Sequence, residues 1–154
     1  MRLWTETASS NSGRSPGAAV RAKVSEITAK VNRQAASRGV RAVNALRNAE
    51  LEVLKGQRSG RKYRKYPFKS TYQASAPGEP PARRTGNLRL HWNGNVKTQA
   101  KSGGVEVIAE LESGASYAGY LENGTSNMAP RPFLDRITEK ALTEIEKIYS
   151  EPYT

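Results

Sequence analysis

Few side chains in this sequence could make or break bonds, and they are poorly placed to do so. His91 is the only histidine and cysteine is absent, so neither a thiolate nucleophile nor a metal site of the usual Cys/His spacing can be assembled. Glu106, Glu110 and Glu112 fall on strand or turn positions without the pairing that acid–base work needs. The glycines of "GEPPARRTG" form neither a Walker loop nor a dinucleotide loop. No enzyme activity, metal or cofactor is therefore expected. The concentrated chemistry is cationic. Residues 55–69, "KGQRSGRKYRKYPFK", carry seven basic residues and no acid, with Tyr63, Tyr66 and Phe68 between them. Arg83 and Arg84 follow in "ASAPGEPPARRTG", residues 74–86. Such groups recognise phosphate or carboxylate, which makes Lys55, Arg58, Arg61, Lys62, Arg64, Lys65, Arg83 and Arg84 the candidate contacts. Interleaved aromatics suit stacking on nucleic acid. They equally suit a hairpin with one aromatic face on the core and one charged face outside. No base-reading motif accompanies them.

Charge is also distributed unevenly along the chain. The net value is +11, but residues 1–104 hold 21 Lys/Arg and 5 Asp/Glu, whereas residues 105–154 hold 4 and 9. A molecule polarised in this way can meet nucleic acid with one end or stack on copies or partners of opposite sign. The plainer reading is solubility. A chain of 154 residues favours one domain. Its 36% apolar content is below the usual ~45–50%, which suggests a core for only part of the chain. No apolar run approaches the ~20 residues of a membrane span, and the first residues lack the apolar centre of a secretory signal. The lack of cysteine fits an intracellular site.

These residues require an α+β scaffold. Residues 1–17 read as a flexible arm, in which Leu3 and Trp4 either cap the domain or dock on a partner. Residues 18–54 read as one long helix: Val20, Val24, Ile27, Val31 and Ala35, then Val43, Leu46, Ala49 and Val53, repeat at helical spacing. At about 50 Å it would outreach a small domain and pack on neighbours as well as on its own sheet. Gly39 marks a bend or a close contact. Arg21, Lys23, Lys30, Arg33, Arg38 and Arg41 share the other face, solvated or partner-facing. Residues 55–87 form an extended basic and proline-rich region, where Pro77, Pro80 and Pro81 exclude helix and central strand. Residues 88–112 are expected to form an antiparallel sheet of three to four strands. Leu88, Leu90 and Trp92 would point one way, Asn93-Gly94 would turn the chain, and Val105, Val107, Ala109 and Leu111 would alternate inward. Helices occupy residues 115–149. Tyr117, Tyr120 and Leu121 share a face that would close the core, Gly124 ends that helix, and Pro132 opens the next. Phe133, Ile137, Leu142 or Ala141, Ile145 and Ile148 supply its stripe, with Phe133 and Leu134 expected against Trp92 and Val107. Residues 150–154 read as a tail.

Three blocks in order, "SAPGEPPARRTGNL" (75–88), "YAGYLENGT" (117–125) and "APRPFL" (129–134), resemble the neck or tail-completion (head–tail joining) proteins of long-tailed phages, often described as phage morphogenesis or minor tail proteins. They fall within residues 55–149; the N-terminal helix matches only in kind. The resemblance implies an α+β fold, no catalysis and a homo-oligomeric ring, hexameric in preference to dodecameric. It places that ring in the virion neck, assembled in the host cytoplasm. Its neighbours would be other neck, head-closure, tail-terminator or tail-tube proteins, with genomic DNA in the lumen and no membrane. A tail terminator ring and a sequence-indifferent nucleic-acid-binding protein are the alternatives. In this setting the stiff segment holding Pro77, Gly78, Pro80, Pro81 and Gly86 is expected to reach across a subunit seam, since a restricted chain loses little entropy on docking. The basic loop would face DNA or an adjoining protein ring. Its aromatic content favours protein.

Overall fold

The computed structural model describes residues 16–102 and 104–154. The expected arm, with Leu3 and Trp4, lies outside them apart from Pro16 and Gly17, which open the first helix. In chain order the elements are α1 (Pro16–Val53), β1 (Lys62–Arg64), β2 (Thr71–Gln73), α2 (Asn87–Leu90), β3 (Trp92–Lys101), β4 (Gly104–Ser113), α3 (Ala118–Asn123) and α4 (Leu134–Ser150). The class is α+β. Instead of one sheet of three or four strands there are two separate antiparallel hairpins, β1–β2 and β3–β4.

The 38 residues of α1 span about 57 Å at 1.5 Å per residue. Only its C-terminal half is covered. Arg38, Gly39, Ala42, Val43, Ala45, Ala49 and Glu50 are buried, beneath β3–β4 and α4. Every residue from 16 to 30 is exposed, including Val20 at 62%, Val24 at 56% and Ile27 at 53%. Among the described residues, the apolar stripe therefore continues beyond the surface that covers it.

The β3–β4 hairpin pairs Trp92 with Ser113 and Lys101 with Gly104. Asn93-Gly94 thus lies inside a strand and makes no turn. A Cβ on Gly94 would stand 2.4 Å from Val43 Cγ1, and one on Gly39 would stand 2.6 Å from Val107 and 2.9 Å from Val96. Both glycines permit the close approach of hairpin and helix. The expected strand through Leu88, Leu90 and Trp92 is a single helical turn followed by the start of β3. Leu88 and Trp92 are buried and Leu90 is exposed. A spacing of four puts two residues on the same face of a strand and of a helix, so only Leu90 separates the two readings. The Trp92 indole donates to the Leu88 carbonyl at 2.5 Å.

Phe133, 1% exposed, stands immediately before α4 and meets Trp92 edge-on at 6.1 Å between ring centres. Ile137 and Ala141 join Ala49, Leu54, Leu88 and Trp92 in the same core, and Ala141 rather than Leu142 is the inward residue. Leu134, expected inside, is exposed. It is the first residue of α4, at the outer end of the side that Ile137 and Ala141 bury. Val107 packs near Gly39 rather than beside Phe133. Residues 151–154 are not a loose tail. Arg38, on the face read as solvated or partner-facing, is buried and donates to the carbonyls of Glu151 at 2.5 Å and Pro152 at 3.0 Å. It also lies 3.8 Å from the centre of the Tyr153 ring. Arg41 holds the Glu151 carboxylate through both nitrogens, at 2.5 and 2.6 Å.

Phe133→Ala should cost roughly 3–5 kcal/mol, seen as a large drop in melting temperature, whereas Leu142→Ala should change it little; equal effects would contradict the assigned faces. Glu50 is fully buried and paired with Arg47. Burial pushes its carboxyl up to about 7, against the opposing influence of Arg47 and Arg89. The folded state thus holds this proton more tightly than the unfolded chain does. The associated stability is complete below the ordinary carboxylate range and is lost as pH rises through about 7. Melting curves between pH 5 and 8 should show that loss in the wild type and much less of it in Glu50→Gln.

Candidate interaction site

The segment from the end of α1 to α2 is built as a cationic hairpin on a clamped base. Arg58 is half-buried and donates to the carbonyls of Val53 at 2.8 Å, Gln57 at 3.0 Å and Pro81 at 3.2 Å. It fastens the hairpin to the C-terminal end of α1 and is not a free contact. Its neighbours point outward. Lys55, Arg61, Lys62 and Arg64 are exposed and Lys65 is half-buried. Tyr63 and Tyr72 pair across the strands with ring centres 5.7 Å apart. Arg61 lies 5.7 Å from the Tyr63 ring and Arg84 lies 5.8 Å from the Tyr72 ring, so the stack has a guanidinium at each end. At the tip Tyr66 is 92% exposed and Phe68 67%. The aromatic face is not laid on the core, as the hairpin alternative required. It is presented to solvent with the charges.

The proline-rich stretch does not project as a reaching arm. Pro80, Pro81 and Gly86 are buried, while Pro77 and Gly78 are exposed. The Gly78 N–H donates to Pro130 O at 3.0 Å, and Arg136 donates to Gly78 O at 2.9 Å. Arg131 Nη1 donates to both Ser75 oxygens and to Ala76 O, the last at 3.0 Å. Glu79 accepts from the Ser59 hydroxyl at 2.5 Å, the Ser59 N–H at 3.0 Å and the Ala76 N–H at 2.9 Å. Those bonds, led by the hydroxyl, hold its carboxyl down at about 2. Glu122 accepts from the N–H groups of Phe133 at 2.9 Å and Leu134 at 3.3 Å. It caps α4 from another element, where the usual local cap is missing. Gly124 ends α3 at φ 77°, conformational space that favours glycine. Pro132 is half-buried, just ahead of the helix that Glu122 caps. The three sequence blocks thus meet one another in space.

Between the clamped stretch and α3 lies a cleft of about 450 Å³ lined by Leu54, Leu88 and Leu121, with Tyr72, Arg83, Arg84 and Tyr117 also on its wall. Arg83 and Arg84 are exposed. Tyr117 does not close the core as its spacing predicts; it lines the cleft and accepts a hydrogen bond from Asn87 at 3.2 Å. Tyr120 is exposed, and only Leu121 of that face packs on the core. Among the described residues no group of three or more His, Cys, Asp or Glu could hold a metal ion. Comparison with known proteins gave no matching family model, no matching curated protein and no matching solved structure.

Part of the uneven charge is offset within the fold. Glu106, Glu110 and Glu151 pair with Lys101, Lys97 and Arg41, so acids of the C-terminal half neutralise bases of the N-terminal half within the fold. Residues 55–86 keep nine basic residues against Glu79 alone. What this region can do chemically is present positive charge and flat aromatic area to an anionic surface.

The residues that shape the site and escaped sequence reasoning are Glu79, Glu122, Arg131, Ser75 and Tyr72. Glu79 carried the one available signal, as the sole acid in a strongly basic stretch; the others act on distant partners. Glu79→Gln should loosen the clamp, which proteolysis of residues 55–86 would reveal at pH 7. Because the folded state depresses this carboxyl, its stabilisation is present above the ordinary carboxylate range and lost as pH falls toward 2. The difference in melting temperature between wild type and variant should therefore shrink with acidification. A difference that grew would contradict the assignment.

Proposed function

We propose that this chain is a structural ring protein of a long-tailed phage neck, joining the DNA-filled head to the tail without catalysis. The observation that carries the reading is the bare N-terminal half of α1. A stretch of 15 exposed residues with Val20, Val24 and Ile27 on one stripe gains nothing for an isolated subunit, because apolar area left in water contributes no burial. In a ring it is buried against a neighbour. The basic hairpin at the other end of α1 supports the same reading, as a second surface that faces an adjoining protein ring. Its exposed Tyr66 and Phe68 have the aromatic character of an interface core. The order of the three blocks, which resembles head–tail joining proteins, supports the assignment to a neck.

The test is made in the assembled particle. Replacing Lys55, Arg61, Lys62 and Arg64 with Gln should leave the subunit folded, since exposed charges contribute little to stability. Unjoined heads and tails should then accumulate in electron micrographs of infected cells. Normal yields of infectious particles would count against this role for the hairpin.

A further inference from the structure

Two uncovered stripes of this chain match each other. On α1, Val20, Val24 and Ile27 recur at spacings of four and three, flanked on the helix by Arg21, Lys23 and Lys30. Lys23 bonds Glu26 of its own helix. Neither Arg21 nor Lys30 is in an ion pair with a described residue. On α4, Leu142 and Tyr149 stand two turns apart and are 48% and 44% exposed, with Leu134, 46% exposed, at the head of the helix. Asp135, Glu139 and Glu146 run beside them, all exposed and none in an ion pair with a described residue. The lengths also agree. Val20 to Ile27 and Leu142 to Tyr149 are both steps of seven residues, about 10 Å along the axis. One stripe is apolar with a basic border, the other apolar with an acidic border.

We infer that the occupant of the bare half of α1 is a second copy of this chain, bound through the outer face of its α4. The inference rests on the ring reading and supplies its subunit contact. Two copies of the α1 stripe facing each other would set basic borders together, which opposes an isologous dimer of that surface. Pairing α1 of one copy with α4 of the next joins opposite charges and buries both apolar strips. It also leaves each copy with one free stripe of each kind, so the contact is heterologous and repeats around a closed ring. The packing of α4 on its own core is undisturbed, because Ile137, Ala141 and Ile148 hold the adjoining side of the helix, about a quarter turn away.

The absence of cysteine makes the contact directly readable. Val24→Cys and Leu142→Cys are introduced in separate chains, checked for native circular dichroism, mixed and oxidised at assembly concentration. The expected result is a cross-link between the two variants, in excess of either homodimer. Reversing Arg21, Lys23 and Lys30 to Glu should weaken association by about tenfold or more at low salt. Adding Asp135→Lys, Glu139→Lys and Glu146→Lys to the same chain should restore it. Native mass spectrometry separates the two possible failures. A closed oligomer without the mixed cross-link, or insensitive to charge reversal, overturns this contact and leaves the ring reading standing. A chain that stays monomeric and uncross-linked overturns both, and predominant Val24→Cys homodimers overturn the heterologous arrangement.

Discussion

The length of α1, set against the apolar surface available to cover it, is the constraint on which the rest of the structure depends. Helix propagation adds one hydrogen bond per residue, and nothing from Pro16 to Val53 stops it; Gly39 is accommodated by a hairpin that needs the space. The other described residues supply one ten-residue hairpin pair and one 17-residue helix as the main packing layers. These cover the C-terminal half, where small residues such as Ala42, Ala45 and Ala49 let them approach closely. Residues 16–30 lie beyond them. The subunit is therefore a small packed body with a helical projection.

Polar groups complete what the small core cannot. With few apolar residues between α1 and β3, the backbone of residues 59–86 is held by side chains that each satisfy several groups. Arg58 and Arg131 each donate to carbonyls of more than one residue, and Glu79 gathers two backbone N–H groups and a hydroxyl. Charge-assisted bonds of this kind are stronger than neutral ones, and multiple bonds from one fork fix geometry as well as energy. The proline rings limit the alternatives open to the unfolded segment. The stiffness evident in this stretch serves an internal clamp, which carries the cationic hairpin on a firm base.

The sequence disclosed the elements whose pattern is local. The α1 stripe, the end of α3 at Gly124 and the inward set of Phe133 and Ile137 were all legible from spacing, because helical period and turn chemistry are read within a few residues. The 88–92 stretch was misread because an interval of four residues fits both a strand face and a helical turn. Asn93-Gly94 looked like a hairpin turn, yet the glycine answers to Val43 on another element. The long-range polar contacts left no local trace: Glu122 capping Phe133, Arg131 reaching Ser75, and Arg38 fixing residues 151–154. Of the eight basic candidates, Arg58 proved internal, and composition could not distinguish it from Arg61 three residues later. The bare half of α1 was anticipated in outline, since its length alone exceeds a small domain.

The account turns on residues 16–30 being built for a partner. Amide hydrogen exchange, compared between the isolated subunit and the assembled particle, measures this directly. The account predicts fast exchange at 18–30 in the isolated subunit and strong protection there after assembly, with 40–53 protected in both states. Equally fast exchange at 18–30 in both states would contradict it, because the stripe would then remain uncovered where its function is performed.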